Sequence, residues 1–365
     1  MQPSARRTHI TLHDKHNNLK CDPFTLHRLA LRPLLQDKQS TNIDEILQYI
    51  ELSGAEQFLH FIRWHGLAPL WCDVLTDHRH HSIMSAQLMD KLHQDKLNAV
   101  AMYMLQTHTL EKLHHLFTGA GIPYVAFKGA QVRELVYAEP ALRPACDIDI
   151  LIKGQARDHA IQVLSQAGMQ ARINPDNYSH ECTFMDGNVA VDLHWHILRP
   201  GRIAPGISDE LVNAPIKINS FFGMNNTATI FVLLVHPAYT RYVCNPYASL
   251  IRIVDMVHLF RRLEFDWDQV IELITRAQAR TAAWSTLFWL NHLTGNEPGQ
   301  EIIKRLAPPR IKRRYLEFWI RNNLPFRLMS CKTLMHLTFT LVLHDSLNDA
   351  ITAIKYLIKH KQSQL

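Results

Sequence analysis

The apolar positions of this chain change their period twice. From about residue 20 to 117 they recur every three or four residues, the spacing of helices packed on one side. Thr41-Asn42-Ile43-Asp44 reads as a helix start, and Ile46, Leu47, Ile50 and Leu52 follow at helical spacing. Phe58, Leu59, Ile62 and Leu67 continue the pattern. A long helix is predicted from Ser85 to Phe117, with Leu88, Leu92, Val100, Met104, Leu110, Leu113 and Leu116 on its apolar side and Gly119 and Gly121 ending it.

From about 120 to 200 the pattern shortens to the alternation of strands. Pro123–Phe127 is a β-type run, a helix is expected over Gln131–Tyr137, and Asp147–Ile152 is a second strand. A helix over Gln155–Ala167 and a strand over Met169–Ile173 come next. Glu181–Met185 and Val189–Ile197 then form a hairpin around Asp186-Gly187-Asn188. After Pro200–Pro205 the helical period returns, over Thr227–Arg241, Leu250–Arg262, Trp267–Leu293 and beyond Leu306, interrupted by Pro308-Pro309 and Pro325. The expected class is α+β: a small mixed sheet over 118–222, between a helical region (1–117) and a helical domain (223–365).

Two strands carry acids where their neighbours are apolar. Alternate side chains of a strand point to opposite faces. Asp147 and Asp149 therefore share one face, while Ile148, Ile150 and Ile152 share the other. In the hairpin's second strand Val189, Val191, Leu193, Trp195 and Ile197 lie on one face, and Ala190, Asp192, His194 and His196 on the other. Two carboxylates at ~4 Å repel by roughly 4 kcal/mol at an effective dielectric of about 20. A sheet bringing Asp147, Asp149 and Asp192 together calls for a divalent cation, Mg²⁺ or Mn²⁺, to relieve that repulsion.

Cations stand close by in sequence. Lys128-Gly129 falls where a strand ends and a helix begins, where glycine allows close backbone approach and the helix N-terminus favours an anion. Lys128 adds a point charge, and Arg143, four residues before Asp147, is a second candidate phosphate clamp. Acids for metal facing cations for phosphate describe a nucleoside-triphosphate site.

Lys128-Gly129, Leu142-Arg143-Pro144, Asp147–Ile152 and Val191-Asp192-Leu193-His194-Trp195 together resemble an uncharacterised nucleotidyltransferase family of the DNA polymerase β-like superfamily. The likeness covers 120–200 and extends more thinly through His236, Arg252-Ile253-Val254-Asp255 and Phe265-Asp266-Trp267. It implies a metal-binding Asp-x-Asp with a third acid on a neighbouring strand. It also implies transfer of a nucleoside monophosphate from an NTP, ATP among them, to an acceptor, with pyrophosphate released. Asp147 and Asp149 would bind the metal, and Asp192 would hold a second one and help activate the acceptor hydroxyl. The Gly-Ser common in that superfamily is replaced by Lys128-Gly129-Ala130, so the hydroxyl that would touch phosphate is missing. The acceptor is open: small molecule, peptide, protein or RNA. A nucleotide sensor or scaffold without catalysis, and a phosphoryl-transferring tailoring enzyme, are the competing readings.

Other residues admit plainer roles. His194 and His196 make a zinc site only with further ligands, and none stands nearby at familiar spacing. They are expected to line the site, with His194 orienting a carboxylate. Arg252 and Asp255 either pair on a helix surface or reach substrate. His236 either packs at a helix end or contributes to the site. Composition narrows the class: 47% apolar and 20% charged residues suit a globular protein. A net charge of +6 suits a phosphate ligand but is too small to imply nucleic acid by itself. Six scattered cysteines without a Cys-x-x-Cys pair, and a polar start with no apolar leader, lead to the expectation of a cytoplasmic protein. Leu334–Leu343, about ten residues, is too short to span a membrane and is expected to form a buried helix.

Overall fold

The computed structural model describes residues 24–36, 43–76, 86–172, 180–245, 249–295, 298–328 and 330–362, with side chains up to 355. Five helices come first: α1 (Thr25–Leu35), α2 (Asp44–Ser53), α3 (Ala55–Trp64), α4 (Ala68–Thr76) and α5 (Ala86–Gly119). The αβ segment follows as β1 (Tyr124–Phe127), α6 (Gly129–Val136), β2 (Asp147–Ile152), α7 (Arg157–Gln166), β3 (Gln170–Arg172), β4 (Glu181–Asp186) and β5 (Val189–His194). A one-turn helix α8 (Ile207–Glu210) leads to β6 (Ile216–Ile218) and β7 (Phe221–Gly223). The chain ends in α9 (Asn226–Tyr239), α10 (Ser249–Arg262), α11 (Trp267–Arg276), α12 (Arg280–Thr294), α13 (Gln300–Leu306), α14 (Arg310–Arg321), α15 (Leu324–Arg327), α16 (Lys332–Met335) and α17 (Leu347–Gln362).

The seven strands form one mixed sheet, ordered β3-β4-β5-β2-β1-β7-β6, so the class is α+β as expected. β2 is its centre, antiparallel to β1 and parallel to β5. Its reverse face packs Ile148, Ile150 and Ile152, with Val189, Val191 and Leu193 of β5, against Leu110, Leu113 and Phe117 of α5 and Ala160 and Leu164 of α7. Thr109 and Lys112 of α5 also bond the carboxylate of Asp186, which fixes the β4–β5 turn on that helix. The alternation read from the sequence thus becomes one sheet face against helices and one face carrying polar groups.

A second core joins the N-terminal helices to the C-terminal ones. Phe24, Phe58 and Trp71 share it with Phe231, Val254, Trp284 and Trp289. Leu151 and Phe127 reach it from the sheet, so α9 and α10 lie over the polar face of β2. Among the described residues no helix is long and apolar enough to cross a membrane.

Several elements differ from expectation. Trp267–Leu293 is broken into α11 and α12 at Gln278, which has a left-handed backbone (φ +56°). Neither proline nor glycine marks the break; it lets Val270 and Ile274 of one helix and Ala283 and Leu287 of the next fill one core. β6 and β7 were not expected: each is three residues, shorter than an alternation needs to be visible, and the Asn219 turn (φ +47°) joins them. Met104 is exposed on α5, while Gln106 and Thr109 are buried, because polar partners on the sheet side await them. Leu334–Leu343 is not a buried helix. It runs through a π-helical turn (His336–Thr340) and a 3-10 turn, with Leu334 and Leu337 exposed. The Thr41-Asn42 start, Ser85 and Ile173 lie outside the described residues. Five described cysteines, Cys72, Cys146, Cys182, Cys244 and Cys331, are free thiols.

Candidate functional site

Parallel pairing sets β2 and β5 in a register that places Asp149 opposite Asp192 and Asp147 opposite Ala190. Neighbouring strands lie roughly 4.8 Å apart, so two acids in register are forced to be close. Ligand atoms of Asp149, Asp192 and His194 all lie within 4.8 Å of one another. Asp147 is outside that trio, because the next side chain on the same face sits one pleat, roughly 6.5 Å, further along the strand. It still senses both acids. Burial, then Asp149 and Asp192, push the Asp147 carboxyl up to about 7 against the pull of Lys128 and Arg252.

Asp149 is 4% exposed and is held from two sides. Lys128 Nζ donates to Oδ1 at 2.7 Å, and His194 Nε2 lies 2.9 Å from the same oxygen. A carboxylate only accepts, so that imidazole nitrogen carries the proton. Burial alone would raise Asp149; the Lys128 and His194 contacts override it and hold the group well below the ordinary carboxylate range. Burial likewise works to lower Lys128, and Asp149 overcomes it. On its other side His194 Nδ1 approaches Glu181 Oε2 to 3.2 Å without the alignment of a hydrogen bond. Asp192 accepts from Thr183 Oγ1 at 2.6 Å, across the β4–β5 ladder where those residues face each other.

Lys128 reaches Asp149 by way of a left-handed backbone at φ +56°, unusual for a residue with a side chain. It occupies the N-cap position of α6, and its carbonyl receives the first helical bond from Val132 N. Gly129 follows because nothing larger fits: a Cβ there would run into Arg143 Nη1. Gln131, fully buried one turn into α6, donates to the Met224 carbonyl at 2.7 Å and accepts from Met224 N at 3.2 Å. That ties the Lys128 turn to the start of α9.

Arg143, the second candidate phosphate clamp, is engaged by an acid of α10. Its Nη2 and Nε bind Asp255 Oδ2 and Oδ1 at 2.5 and 3.1 Å, while Nη1 donates to the Pro144 carbonyl. Tyr137 Oη donates to Asp255 Oδ1 at 2.8 Å. The pair is 9% and 1% exposed at its side chains. Asp255 is therefore not paired with Arg252 on a helix surface. It lies on the inner face of α10 and meets the loop that delivers Asp147. Arg133 of α6 secures the same loop, through Gln106 Oε1 at 2.6 Å and from Gln106 to the Ala145 carbonyl.

Arg252 of α10 acts on Asp147, and His236 of α9 lies in the field of Lys128, Arg252 and His194. The Arg252 guanidinium lies 3.5 Å over the Tyr242 ring, and the His236 ring stacks on the same tyrosine. Burial, then Lys128 and Arg252, keep His236 neutral, well below the usual histidine range. His196, by contrast, lies past the end of β5, where Trp195 N and His196 N both bond the His180 carbonyl. Glu181, Thr183, His180, Tyr137 and Tyr242 were not singled out in the sequence. Thr183 and Glu181 were legible in principle, since hairpin pairing around Gly187 places them opposite Asp192 and His194. Tyr137 and Tyr242 carried no local signal.

The oxygen donors suit a hard divalent cation: two carboxylates in register and a third acid on the same face, with His194 turned to Asp149 as a hydrogen-bond donor. Residues 52–295, about two thirds of the chain, match the family model described as "Uncharacterised nucleotidyltransferase". No curated protein matches the chain.

Proposed function

This chain belongs to the uncharacterised nucleotidyltransferase family, and we propose that it moves a nucleoside monophosphate from an NTP to an acceptor hydroxyl in a divalent-cation-dependent reaction. The observation that carries the reading is the register of Asp149 on Asp192, with Asp147 on the same face and Lys128 at the adjoining helix start. Asp147, Asp149 and Asp192 would hold Mg²⁺ or Mn²⁺, which when bound supplies positive charge to the triphosphate and acidifies the acceptor hydroxyl. The acceptor oxygen bonds to the α-phosphorus, the α–β bridging bond breaks, and pyrophosphate leaves with its electron pair. The hydroxyl proton passes by way of Asp192 to solvent.

The chain's own residues supply orientation and charge. His194 and Thr183 fix the rotamers of Asp149 and Asp192 by direct hydrogen bonds. Lys128 and the Gly129 backbone at the start of α6 would receive the phosphates, the lysine shifting between carboxylate and phosphate as the site fills. Arg252 and His236, from α10 and α9, would offer contacts for nucleotide or acceptor. Arg143 acts through Asp255 as a strut for the Asp147 loop.

Purified protein incubated with α-labelled and γ-labelled NTPs and Mg²⁺ tests the proposal. We expect α-label in an adduct and γ-label in pyrophosphate. Asp149→Asn should abolish both while leaving the circular dichroism spectrum unchanged, since charge is lost with little change in volume. Full transfer by Asp149→Asn, or γ-label in the adduct, refutes it.

A further inference from the structure

A cluster of basic side chains lies where the loop after β5 meets the end of α9. Pro200 and Gly201 turn the chain so that Arg202 N bonds back to the Arg199 carbonyl at 3.3 Å. Arg202 Nη1 donates to the Tyr239 carbonyl at 3.0 Å in the last turn of α9, with its guanidinium 5.9 Å from that ring. Two residues further, Arg241 takes a left-handed backbone at φ +65°. His336 lies in the field of Arg202, Arg241 and Arg199, and its buried Nε2 has no hydrogen-bond partner among the described residues. It opens a π-helical turn, a feature frequent at functional sites. His180 links the cluster to the acid-bearing strands: it feels Arg199 and Arg202, and its ring lies 6.4 Å from that of His194, which bonds Asp149.

Such crowding of like charge is unfavourable by itself. Burial, then Arg199, lower Arg202 to about 10, and the same two causes lower Arg241. Among the described residues neither group forms an ion pair with a carboxylate; Arg202 bonds a backbone carbonyl, and Asp345 and Asp349 act instead on the neighbouring Tyr239 and His344. Other arginines of this protein do meet acids: Arg276 binds both oxygens of Glu210, and Arg143 binds Asp255. A half-buried arginine pair reinforced by a third guanidinium and an unsatisfied imidazole nitrogen has the chemistry of a polyanion receptor. Guanidinium forks match phosphate oxygens in pairs.

We propose that Arg202 and Arg241, together with His336 and in the field of Arg199, form an anion subsite for a phosphate group of a substrate held at the acid-bearing strands. The assignment of that phosphate to a substrate rests on the nucleotidyl-transfer reading; the anion site itself does not. Two sources share the chemistry: the triphosphate of the NTP, and a phosphate carried by the acceptor.

Titration calorimetry on the full chain with inorganic phosphate, pyrophosphate and ATP tests this, for the unaltered protein, Arg241→Gln and Arg202→Gln/Arg241→Gln. We expect pyrophosphate binding without metal, weakened about tenfold by the single change and a hundredfold or more by the double one. Phosphate should raise the melting temperature of the unaltered protein and leave that of the double variant unmoved, a readout that also shows the variants are folded. If phosphate still binds ATP-saturated protein, the acceptor supplies the anion; if ATP displaces it and binds the double variant more weakly, the triphosphate does. Equal binding of all three probes by unaltered and double-variant protein overturns the proposal. So does absence of phosphate and pyrophosphate binding at millimolar concentration. Asp149→Asn should keep its phosphate affinity, so a failure of the transfer reading is separable from a failure of this one.

Discussion

Asp255→Leu tests the strut beneath the acidic strand. The carboxylate is held by two Arg143 nitrogens at 2.5 and 3.1 Å and by the Tyr137 hydroxyl at 2.8 Å, with 1% of its side chain exposed. Removing it leaves a buried guanidinium without its counter-ion, a change that costs ~3–5 kcal/mol. That is a large part of a typical folding stability of ~5–15 kcal/mol. Removing both partners, as Arg143→Met with Asp255→Leu, leaves no orphaned charge and should cost ~1 kcal/mol or less. Losing either partner alone orphans the other's charge, so the two single changes and the double form a cycle with a coupling of ~5 kcal/mol or more. Urea denaturation reads it: the single-variant midpoints fall by ~1 M or more at unchanged slope, and the double variant recovers most of the loss. ATP titration of the double variant supplies the second readout. Retained affinity assigns Arg143 to the loop; a loss beyond tenfold returns it to the phosphates. Midpoints within ~0.3 M for both single variants, or a double variant as damaged as their sum, would refute the strut.

Gly129→Ala forces a methyl into Arg143 Nη1, which Asp255 prevents from moving, so stability should drop by ~1–3 kcal/mol. A thermal melt unchanged within a degree would contradict that packing. His344 is 2% exposed, and burial, then Arg202, lower it to about 4. Its folded value lies below the unfolded value of about 6.5, so between those limits the unfolded chain binds more protons and stability falls as pH drops. The contribution is up to ~3 kcal/mol, complete above pH ~6.5 and lost towards pH ~4. His344→Leu should flatten that part of the stability–pH curve; an unchanged slope would remove His344 as its source.

Strand alternation determined a good deal of this protein. It put Asp147 and Asp149 on one face, set Asp192 on the polar side of a second strand, and marked the Asp186-Gly187 turn, because a period of two is a local property of the backbone. The acids themselves were legible for the same reason: charge amid isoleucine and valine stands out wherever the strands go. Register, however, is tertiary. Only the parallel pairing of β2 on β5 decided that Asp149 faces Asp192 while Asp147 lies one pleat away. Partner choice is tertiary as well. Arg143 stands four residues from Asp147 in the chain, yet its charge is answered by Asp255, 112 residues on. Asp255 and Arg252 look like a surface pair at helical spacing until α10 is laid on the loop, which turns one inward and leaves the other over Tyr242. Short-range patterns carry the periodicity of each element. The electrostatics of the site depend on distances between elements, and those are set only when the two cores close.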